Sequence, residues 1–570
     1  MHAYDMDSSR VTVIVSDDDV EVEKAAAAAR SSITMPSPLQ GGRKGDGDEK
    51  KVRVAVEGPI IVGAGPSGLA VAASLRVLSV PFVVVERSEG LAELWRTRTY
   101  DRLSLHLPKR FCHLPHLPFP RHFPTYPSKS YFLHYLHSYA SRFRLAPHFR
   151  RAVTHARFDR ALSLWRVTAL ERRGAADPSP SPSPSSSSNS TSEEYVEYVA
   201  PWVVVATGEN AEAVVPETKG RELFTGRVVH SSEYRSGEEY SGGKVLVVGC
   251  GNSGMEICLD LCEHGAMPFM SVRSGVHLLP RDMFGTSTFG LVTKLLQWLP
   301  IKLVDRILLL AAKMVLGDTE KYGLKRPNLG PLETKHITGK TPVLDVGTLA
   351  LIKAGKIQIV REVESLTSNG ARFVDGSEKR FDAVIFATGY KSNVPLWLQD
   401  CDFFTEDGKP KSPFPNGWKG ENGLYCVGFT GRGLHGAGQD AVKVAQDIAQ
   451  KWTNLKKAQT LLRQWAHASE ILELHVEVVL ETIAKHICVK GKLVPHDGYW
   501  LTVVESKSII RWSFESRGSH HRRSSPSSSG SSSPSSAALA GAGSKSCDCR
   551  SGLIVLLLRR HGRRREQEWR

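Results

Sequence analysis

Two glycine-rich turns of the same form constrain the fold of this chain more than any other feature. They are Gly63-Ala64-Gly65-Pro66-Ser67-Gly68 and Gly249-Cys250-Gly251-Asn252-Ser253-Gly254. In a turn of this form the first glycine permits the tight bend, and the second lets backbone N–H groups approach a pyrophosphate. The third glycine allows a helix to pack closely on a strand. Each turn therefore predicts a strand, a phosphate-binding loop and a helix, the start of a Rossmann-like unit.

The segments around the first turn agree with that prediction. The apolar run Gly58 to Val62 precedes it, and a helix-forming stretch, Leu69 to Arg76, follows. A second strand-like run, Pro81 to Val85, ends at Glu86, about where an acidic side chain binds a ribose hydroxyl. Because a lone glycine motif is a weak signal, the agreement of strand, turn, helix, strand and acid is what indicates a dinucleotide site.

The second turn also lies between an apolar strand and a helix, but the strand that follows this helix ends in a basic residue instead of an acidic one. Lys244 to Val248 precedes it, Met255 to Gly265 is helix-like, and the next strand, Pro268 to Val272, runs into Arg273-Ser274. A carboxylate there would repel a 2′-phosphate, whereas an arginine beside a hydroxyl can hold one. The second site is therefore predicted to prefer NADPH over NADH, with a simple surface arginine as the alternative.

Two apolar strands ending in Ala-Thr-Gly support a two-nucleotide architecture. They end at Thr207-Gly208 and at Thr388-Gly389, where small residues let the backbone pass close to a cofactor. An acid-ended first site and an arginine-ended second site fit an FAD domain with an NADPH domain inserted in it. The predicted fold class is α/β, with two Rossmann-like dinucleotide-binding domains and disordered terminal extensions.

The composition along the chain sets the expected boundaries. The prediction comprises a flexible extension (1–55), a first part of the FAD domain (56–215) with a Ser/Pro insertion (177–192), the NADPH domain (216–380), a return of the FAD domain (381–455) and an atypical, largely disordered tail (456–570). Within that tail, Ala458 to Ile487 is expected to be helical.

The charge and cysteine content narrow the possible partners and compartments. Of the net charge of +15, eight units lie between Ser516 and Arg570, which contains eleven Lys or Arg and three Asp or Glu. The body is thus only mildly basic, and nucleic-acid binding is not expected. The nine widely spread cysteines indicate a reducing compartment, and no apolar signal segment opens the chain. The expected location is cytoplasmic, with peripheral contact at the endoplasmic reticulum surface left open.

The most apolar stretch, Leu295 to Leu316, carries Lys302, Asp305, Arg306 and Lys313. Charges at that density are costly in a bilayer centre. We therefore expect a buried or amphipathic helix and no integral membrane span.

A flavin reduced by NADPH can pass electrons to a disulfide, to another acceptor or to oxygen. The folded region has neither C-x-x-C nor C-x4-C, which disfavours a disulfide reductase. The residues alone leave an oxygenase and a simple oxidase or reductase open. No metal site is predicted.

Seven segments together resemble the plant YUCCA-type flavin-containing monooxygenases. They are VGAGPSG (62–68), RTYDRLSLHLP (98–108), VVATGENAE (204–212), HSSEYRSGEE (230–239), VLVVGCGNSGMEI (245–257), ATGYKSNVP (387–395) and GLYCVG (423–428). The resemblance covers roughly residues 58–455. It implies FAD and NADPH as cofactors, and indole-3-pyruvate and O2 as substrates. The implied reaction forms indole-3-acetate, the plant hormone auxin, through a flavin C4a-(hydro)peroxide.

The resemblance also suggests residues for the chemistry. Other flavin monooxygenases tend to carry an asparagine near the flavin where this chain has His106, so His106 is a candidate for directing a proton, and Asn252 is a second candidate catalytic residue. Lys109 and Arg110 could meet a substrate carboxylate. The alternatives are an N- or S-oxygenating flavin monooxygenase and a catalytically silent dinucleotide-binding protein.

Overall fold

The structure, a computed structural model, describes residues 52–172, 194–412, 415–490, 499–506 and 509–516. The chain divides into two compact units, Met1–Leu472 and Glu473–Arg570. The strands are β1 (Val52–Ala55), β2 (Pro59–Val62), β3 (Val83–Val85), β4 (Arg151–Asp159), β5 (Leu164–Glu171), β6 (Glu194–Ala200), β7 (Trp202–Val205), β8 (Glu212–Ala213), β9 (Arg227–His230), β10 (Lys244–Val248), β11 (Met267–Ser271), β12 (Leu278–Pro280), β13 (Asp282–Met283), β14 (Thr286–Ser287), β15 (Val343–Asp345), β16 (Gln358–Val360), β17 (Val363–Thr367), β18 (Gly370–Phe373), β19 (Glu378–Arg380), β20 (Ala383–Phe386), β21 (Tyr390–Lys391), β22 (Leu424–Cys426), β23 (Tyr499–Ser506) and β24 (Ile509–Ser516).

The α-helices are α1 (Pro66–Val77), α2 (Glu93–Thr97), α3 (Lys129–Arg142), α4 (Asn252–Glu263), α5 (Thr288–Leu295), α6 (Ile301–Leu316), α7 (Pro331–Thr338), α8 (Thr348–Lys353) and α9 (Gly433–Lys490). Short 3-10 helices lie at Lys109–Phe111, Arg221–Leu223, Gly237–Tyr240, Glu320–Tyr322 and Val394–Leu396.

The first parallel sheet has the order β22-β7-β2-β3 and carries the first glycine turn between β2 and α1. Successive side chains of a strand point to opposite faces, so each strand contributes to two cores. On one face Ile61 and Val204 pack in a core that includes α1, α3 and the start of α9. On the other face Ile60 and Val203 pack against the mixed sheet β1-β6-β5-β4.

The second parallel sheet repeats this arrangement. Its order is β16-β11-β10-β20-β9, and the second glycine turn joins β10 to α4. Val247 and Ile385 pack in a core that includes α4 and α8, whereas Leu246 and Val384 face the antiparallel sheet β17-β18-β19. Each glycine turn therefore lies at the carboxyl end of a buried parallel strand, where α/β folds bind nucleotides.

The strand pairings correct two predicted boundaries. Val52–Ala55 lies in the segment expected to be a flexible extension, but it pairs with β6 in parallel register. Ala383–Phe386 was assigned to the return of the FAD domain after residue 380, yet it lies between β10 and β9 in the second parallel sheet. The strand was misplaced because its apolar sequence indicates that it is buried but does not indicate which strands pair with it.

The remaining predicted boundaries fall partly outside the described residues. The Ser/Pro insertion at 177–192 lies outside them, and the flanking strands β5 and β6 form an antiparallel pair. Beyond residue 456 the described residues continue α9 to Lys490, which includes the predicted helix 458–487, and form the antiparallel pair β23-β24.

The apolar stretch Leu295 to Leu316 is divided between two helices rather than forming one. α5 ends at Leu295, and Pro300 precedes α6 because proline is well placed just before the first turn of a helix. Within the part of the chain that the structure describes, no helix combines the length and the apolar character needed to cross a membrane.

Candidate nucleotide-binding and active site

The three glycines of the first turn meet three different surroundings. Gly63 has a φ of 110°, and a Cβ there would lie 2.7 Å from the carbonyl oxygen of Ala206. A Cβ on Gly68 would lie 1.9 Å from the carbonyl oxygen of Gly63, so this position needs glycine for helix packing. A Cβ on Gly65 would meet no described atom within 4 Å. The fold itself thus requires the first and third glycines, while the space beside the second stays open for a ligand.

The second turn reproduces this pattern. Gly249 has a φ of 120°, with Ala387 O 2.5 Å from its virtual Cβ, and a Cβ on Gly254 would lie 2.1 Å from Gly249 O. Gly251 again has no described atom within 4 Å of a virtual Cβ. Because two separate turns leave the same space open, the arrangement fits two pyrophosphate groups.

Glu86 lies where the sequence predicts it, directly after β3, and it is buried. Its Oε2 accepts a hydrogen bond from the Ala64 amide at 2.7 Å, and its Oε1 accepts one from Ser88 at 2.9 Å. The carboxylate is therefore fixed beside the first turn, and its remaining lone pairs can accept ribose hydroxyls.

The two Ala-Thr-Gly strand ends lie beside the two turns. Gly208 and Gly389 have φ values of 82° and 91°. Thr207 Oγ1 is buried and has no hydrogen-bond partner among the described residues, which fits a polar ligand group at this point. Thr388 Oγ1 instead donates to the Val214 carbonyl at 2.5 Å, so its hydroxyl is already occupied.

His230, which the sequence analysis left unassigned, fixes the second strand end. Its Nε2 donates to the Gly389 carbonyl at 3.1 Å, while its Nδ1 accepts from the Ser232 amide at 3.1 Å. Burial lowers the pKa of His230, which agrees with a neutral ring that donates through Nε2. Its place inside the segment 230–239 was the only signal in the sequence.

His106 and Tyr100, both from the segment 98–108, converge on the second turn. The His106 Nε2 lies 2.5 Å from Oε1 of Glu256, a buried carboxylate in the second turn of α4. Tyr100 is buried, and burial together with the nearby charge of Glu256 raises its pKa; it also shares hydrogen bonds with Ser253 and Glu256. These contacts join the segment 98–108 to α4, the helix that begins at the second glycine turn.

Among the other residues predicted for the second site, the Asn252 side chain is held by a hydrogen bond, whereas those of Arg273 and Ser274 are exposed. Asn252 Oδ1 accepts a hydrogen bond from the Leu344 amide at 3.0 Å, which ties β15 to the start of α4. The Arg273 side chain is 75% exposed, and its Nε lies 3.9 Å from Oε1 of Glu362. An exposed pair at that distance is weak. Arg273 and the exposed Ser274 are therefore accessible to a ligand at the end of β11.

The structure separates Lys109 from Arg110. The Lys109 ammonium donates to the carbonyls of Pro120, Arg121 and Phe123, which uses all three of its donors. Lys109 therefore holds a loop and does not fit a substrate-carboxylate site. Arg110 is exposed and lies over the ring of Phe111.

Buried charges lie beside and beyond the first Ala-Thr-Gly end. Burial raises the pKa of Glu209, and burial lowers the pKa of Lys335, with each partly stabilising the other. Burial also raises the pKa of Asp440, in the first part of α9, to about 6 despite a hydrogen bond from Gly428. In the described part of the chain, no three His, Cys, Asp or Glu side chains are grouped so as to hold a metal ion.

The sequence matches a known family over the stretch that contains both turns. A family model described as flavin-binding monooxygenase-like matches residues 53–406. The chain belongs to this flavin-binding monooxygenase-like family. As a member it is a flavin-dependent monooxygenase, and its matched stretch includes both Ala-Thr-Gly ends and His106.

Within the flavin-binding monooxygenase-like family the chain is of the YUCCA type. It is 63% identical over 429 residues to indole-3-pyruvate monooxygenase YUCCA8 of Oryza sativa subsp. indica, covering 74% of this chain and 98% of that protein. It is 54% identical over 405 residues to a probable indole-3-pyruvate monooxygenase, YUCCA4 of Arabidopsis thaliana, covering 71% of this chain and 93% of the relative. The resemblance predicted from seven short segments is confirmed over nearly the whole length of these relatives.

A solved structure supports the fold at low sequence identity. An oxidized steroid monooxygenase bound to NADP matches with a TM-score of 0.52 and 16% identity, over 70% of this chain and 84% of that chain. Together with the two parallel sheets, this likeness confirms the predicted α/β fold class.

Proposed function

We propose that this protein converts indole-3-pyruvate to indole-3-acetate, and so forms auxin, using FAD, NADPH and O2. The overall change is indole-3-pyruvate + O2 + NADPH + H⁺ to indole-3-acetate + CO2 + NADP⁺ + H2O. The observation that carries the proposal is the 63% identity over 98% of a relative named indole-3-pyruvate monooxygenase. The flavin supplies the oxygen chemistry, and the protein supplies binding, orientation and exclusion of water.

FAD is assigned to the first turn. Gly63 to Gly68 form the loop for its pyrophosphate, at the N-terminus of α1, where unpaired backbone N–H groups favour an anion. Glu86 would accept hydrogen bonds from the ribose hydroxyls. Thr207 and Gly208 would contact the cofactor, since the buried Thr207 hydroxyl has no partner among the described side chains and backbone groups.

NADPH is assigned to the second turn. Gly249 to Gly254, including Cys250 and Ser253, would hold its pyrophosphate at the N-terminus of α4. Arg273 and Ser274 would hold the 2′-phosphate. Gly389, fixed by His230, lies beside this turn in the strand end after β20. Thr388 would contribute through its backbone, because its hydroxyl binds Val214.

The roles of the two candidate catalytic residues, His106 and Asn252, are inferred from the contacts of their side chains. We assign to His106 the role of directing a proton near the flavin, with its ring oriented by the 2.5 Å contact between its Nε2 and Oε1 of Glu256. Asn252 is assigned a positioning role, since its Oδ1 binds the Leu344 amide.

The proposed location is the cytoplasm, with peripheral contact at the endoplasmic reticulum surface. Six cysteines are free thiols, as in a reducing compartment: Cys112, Cys250, Cys258, Cys262, Cys401 and Cys426. No nucleic-acid partner is proposed, because the excess positive charge is concentrated after Ser516.

The test is a two-step kinetic experiment with the purified, flavin-loaded protein. NADPH is added without oxygen and loss of the oxidised flavin absorbance is followed. Oxygen is then admitted with or without indole-3-pyruvate, and indole-3-acetate, CO2 and hydrogen peroxide are measured. We expect one indole-3-acetate and one CO2 for each NADPH when the keto acid is present.

Two parallel reactions distinguish the alternatives. Turnover of a thioether or a tertiary amine, but not of indole-3-pyruvate, would replace the proposal with N- or S-oxygenation. Flavin that fails to bleach with NADPH would indicate a silent dinucleotide-binding protein. Release of one hydrogen peroxide for each NADPH, with the keto acid unchanged, would contradict the monooxygenase reaction.

A further inference from the structure

We propose that the outer face of α6, with the loop before it, binds the surface of a lipid bilayer that carries anionic headgroups. The outer face is defined as Trp298, Leu303, Ile307, Leu310 and Met314. It is separate from both glycine turns, so the inference does not depend on the substrate of the enzyme.

The outer face is an exposed apolar surface. Trp298, Leu310 and Met314 are 85%, 64% and 71% exposed, and Leu303 and Ile307 are exposed as well. Leu303, Ile307, Leu310 and Met314 follow one another at spacings of four, three and four, so they lie on one side of the helix. Clustered apolar side chains at this exposure mark an interaction surface, whereas isolated ones do not.

A row of positive charges lies next to the outer face. Lys302, Arg306 and Lys313 are exposed, and their spacings of four and seven place them on the adjoining side of α6. Lys294 in α5 is exposed as well. An apolar row bordered by Lys and Arg, with an exposed tryptophan at one end, matches the composition of helices that lie in the headgroup region of anionic membranes.

The single acidic residue of this segment is turned away from the surface. Between residues 288 and 317 the sequence has one acid, Asp305. Its carboxylate is buried and accepts hydrogen bonds from the amides of Leu332 and Glu333, at the start of α7. No carboxylate of this segment therefore repels a negatively charged bilayer.

The opposite side of α6 is anchored in the protein. Val304, Leu308 and Ala311 are buried in a core that also includes Met283 of β13 and Val292 of α5. The helix therefore cannot turn its outer face inward without losing this core. Because this core holds the opposite side of α6, the contact is one-sided, with the apolar row in the headgroup region and the lysine stems reaching outward.

The test is sedimentation of the full-length, flavin-loaded protein with vesicles in about 0.1 M salt, where exposed charges still act over roughly 10 Å. One set of vesicles is pure phosphatidylcholine and the other contains phosphatidylserine. The apolar variant is Trp298→Ala/Leu310→Gln/Met314→Gln. Its control is Leu461→Gln/Trp465→Ala, which removes two apolar side chains of α9 that are 64% and 66% exposed.

We expect the parent and the control to bind the phosphatidylserine vesicles, and the apolar variant to bind at least about tenfold more weakly. Lys302→Gln/Arg306→Gln should weaken binding about 25-fold, or roughly fivefold for each charge, whereas Lys379→Gln/Lys457→Gln should not. Each variant must keep the flavin content and melting temperature of the parent to be compared.

Three results would overturn the proposal. The first is no binding by the parent. The second is equal binding by the parent and the apolar variant, which would assign vesicle binding to the basic segment after Ser516. The third is a lipid-free dimer that the apolar variant dissociates, which would show that a second copy of the chain covers the outer face.

Discussion

At the scale of single residues, the glycine turns show which positions serve the fold and which serve a ligand. Gly254 cannot carry a Cβ, because that atom would lie 2.1 Å from Gly249 O, whereas Gly251 has open space and an ordinary φ of −74°. The motif predicts a different role for each glycine from its position. The contacts agree with helix packing at the third glycine and leave space for a ligand beside the second.

Gly251→Ala should therefore fold normally and bind NADPH poorly. Replacing glycine by alanine at this helix N-cap costs about 0.5–1 kcal/mol, which a domain of this size tolerates. We expect the KM for NADPH to rise about tenfold or more, the equivalent of at least ~1.4 kcal/mol, with the flavin content unchanged. Steady-state kinetics and a melting curve measure this. Gly254→Ala is the contrast and should lose stability itself; equal kinetics for Gly251→Ala and the parent would contradict the assignment.

His106→Asn should leave reduction by NADPH intact and impair the step with oxygen. The substitution breaks the contact with Glu256 but keeps a polar side chain. We expect hydrogen peroxide release to rise about threefold or more and the pH profile of indole-3-acetate formation to change. His122→Asn, at an exposed position, is the control. An unchanged pH profile and peroxide yield would reduce His106 to a packing role.

Asp440→Asn should stabilise the flavin-free protein at neutral pH. Burial raises the pKa of Asp440 from 3.8 to about 6. The folded state therefore holds a proton that the unfolded state has lost, and the free energy of unfolding falls as pH rises from about 4 to about 6. Denaturation curves across this range should show the advantage of the variant growing with pH.

Asp375→Asn supplies the control of opposite sign. Hydrogen bonds from Ser377 lower the pKa of Asp375, so its carboxylate favours the folded state above its ordinary pKa. A gain for Asp440→Asn that is the same at pH 4.5 and pH 7 would exclude the titration as its cause.

At the scale of elements, the sequence predicted the strands and helices better than their partners. The segments 58–62, 244–248 and 268–272 all became strands within one residue at each end, because each is a short apolar run bounded by turn residues. The run ending at Thr388 was also found, but its place beside β10 was not. Pairing depends on contacts between distant residues, which one sequence does not display.

Asp305 joins two helices, α6 and α7, whose association no sequence pattern indicated. Its carboxylate binds two amides at the start of α7 from within α6. The side chain of Asp305→Asn has only one acceptor oxygen, so it can accept a hydrogen bond from only one of these two amides. We therefore expect a loss of about 1–2 kcal/mol in the free energy of unfolding. Chemical denaturation measures this. As a control, Asp318→Asn, at an exposed residue whose carboxylate accepts a hydrogen bond from the Glu320 amide, should cost less than about 0.5 kcal/mol. Equal losses in the two variants would argue against a stabilising role for the bonds between Asp305 and α7.

At the scale of the whole molecule, two halves of the same design lie in one compact unit. The two glycine turns and the strands that lead into them could be predicted, because a tight turn between a buried strand and a closely packed helix requires glycine at fixed positions. Glu256, Tyr100 and His230 could not, since their roles depend on the approach of segments more than 100 residues apart.

A chain that ends after Leu472 should keep the enzymatic activity. The first compact unit ends there, and the match to the rice relative spans 98% of that protein. We expect the flavin content to be unchanged and kcat to stay within about twofold, as for a domain with its own core. Loss of flavin in the shortened protein, despite a normal melting temperature, would assign residues after 472 to the cofactor site.

The two glycine turns are so similar that their shape alone would not direct FAD and NADPH to different sites. A cell supplies both nucleotides at once, and two loops of equal shape could each admit the wrong one. In the proposed assignment of FAD to the first turn and NADPH to the second, the discrimination falls on two side chains: the carboxylate of Glu86 would repel the 2′-phosphate that the guanidinium of Arg273 would attract. One negative and one positive charge at equivalent strand ends would then keep FAD and NADPH in separate sites, and exchanging the two charges should weaken that discrimination.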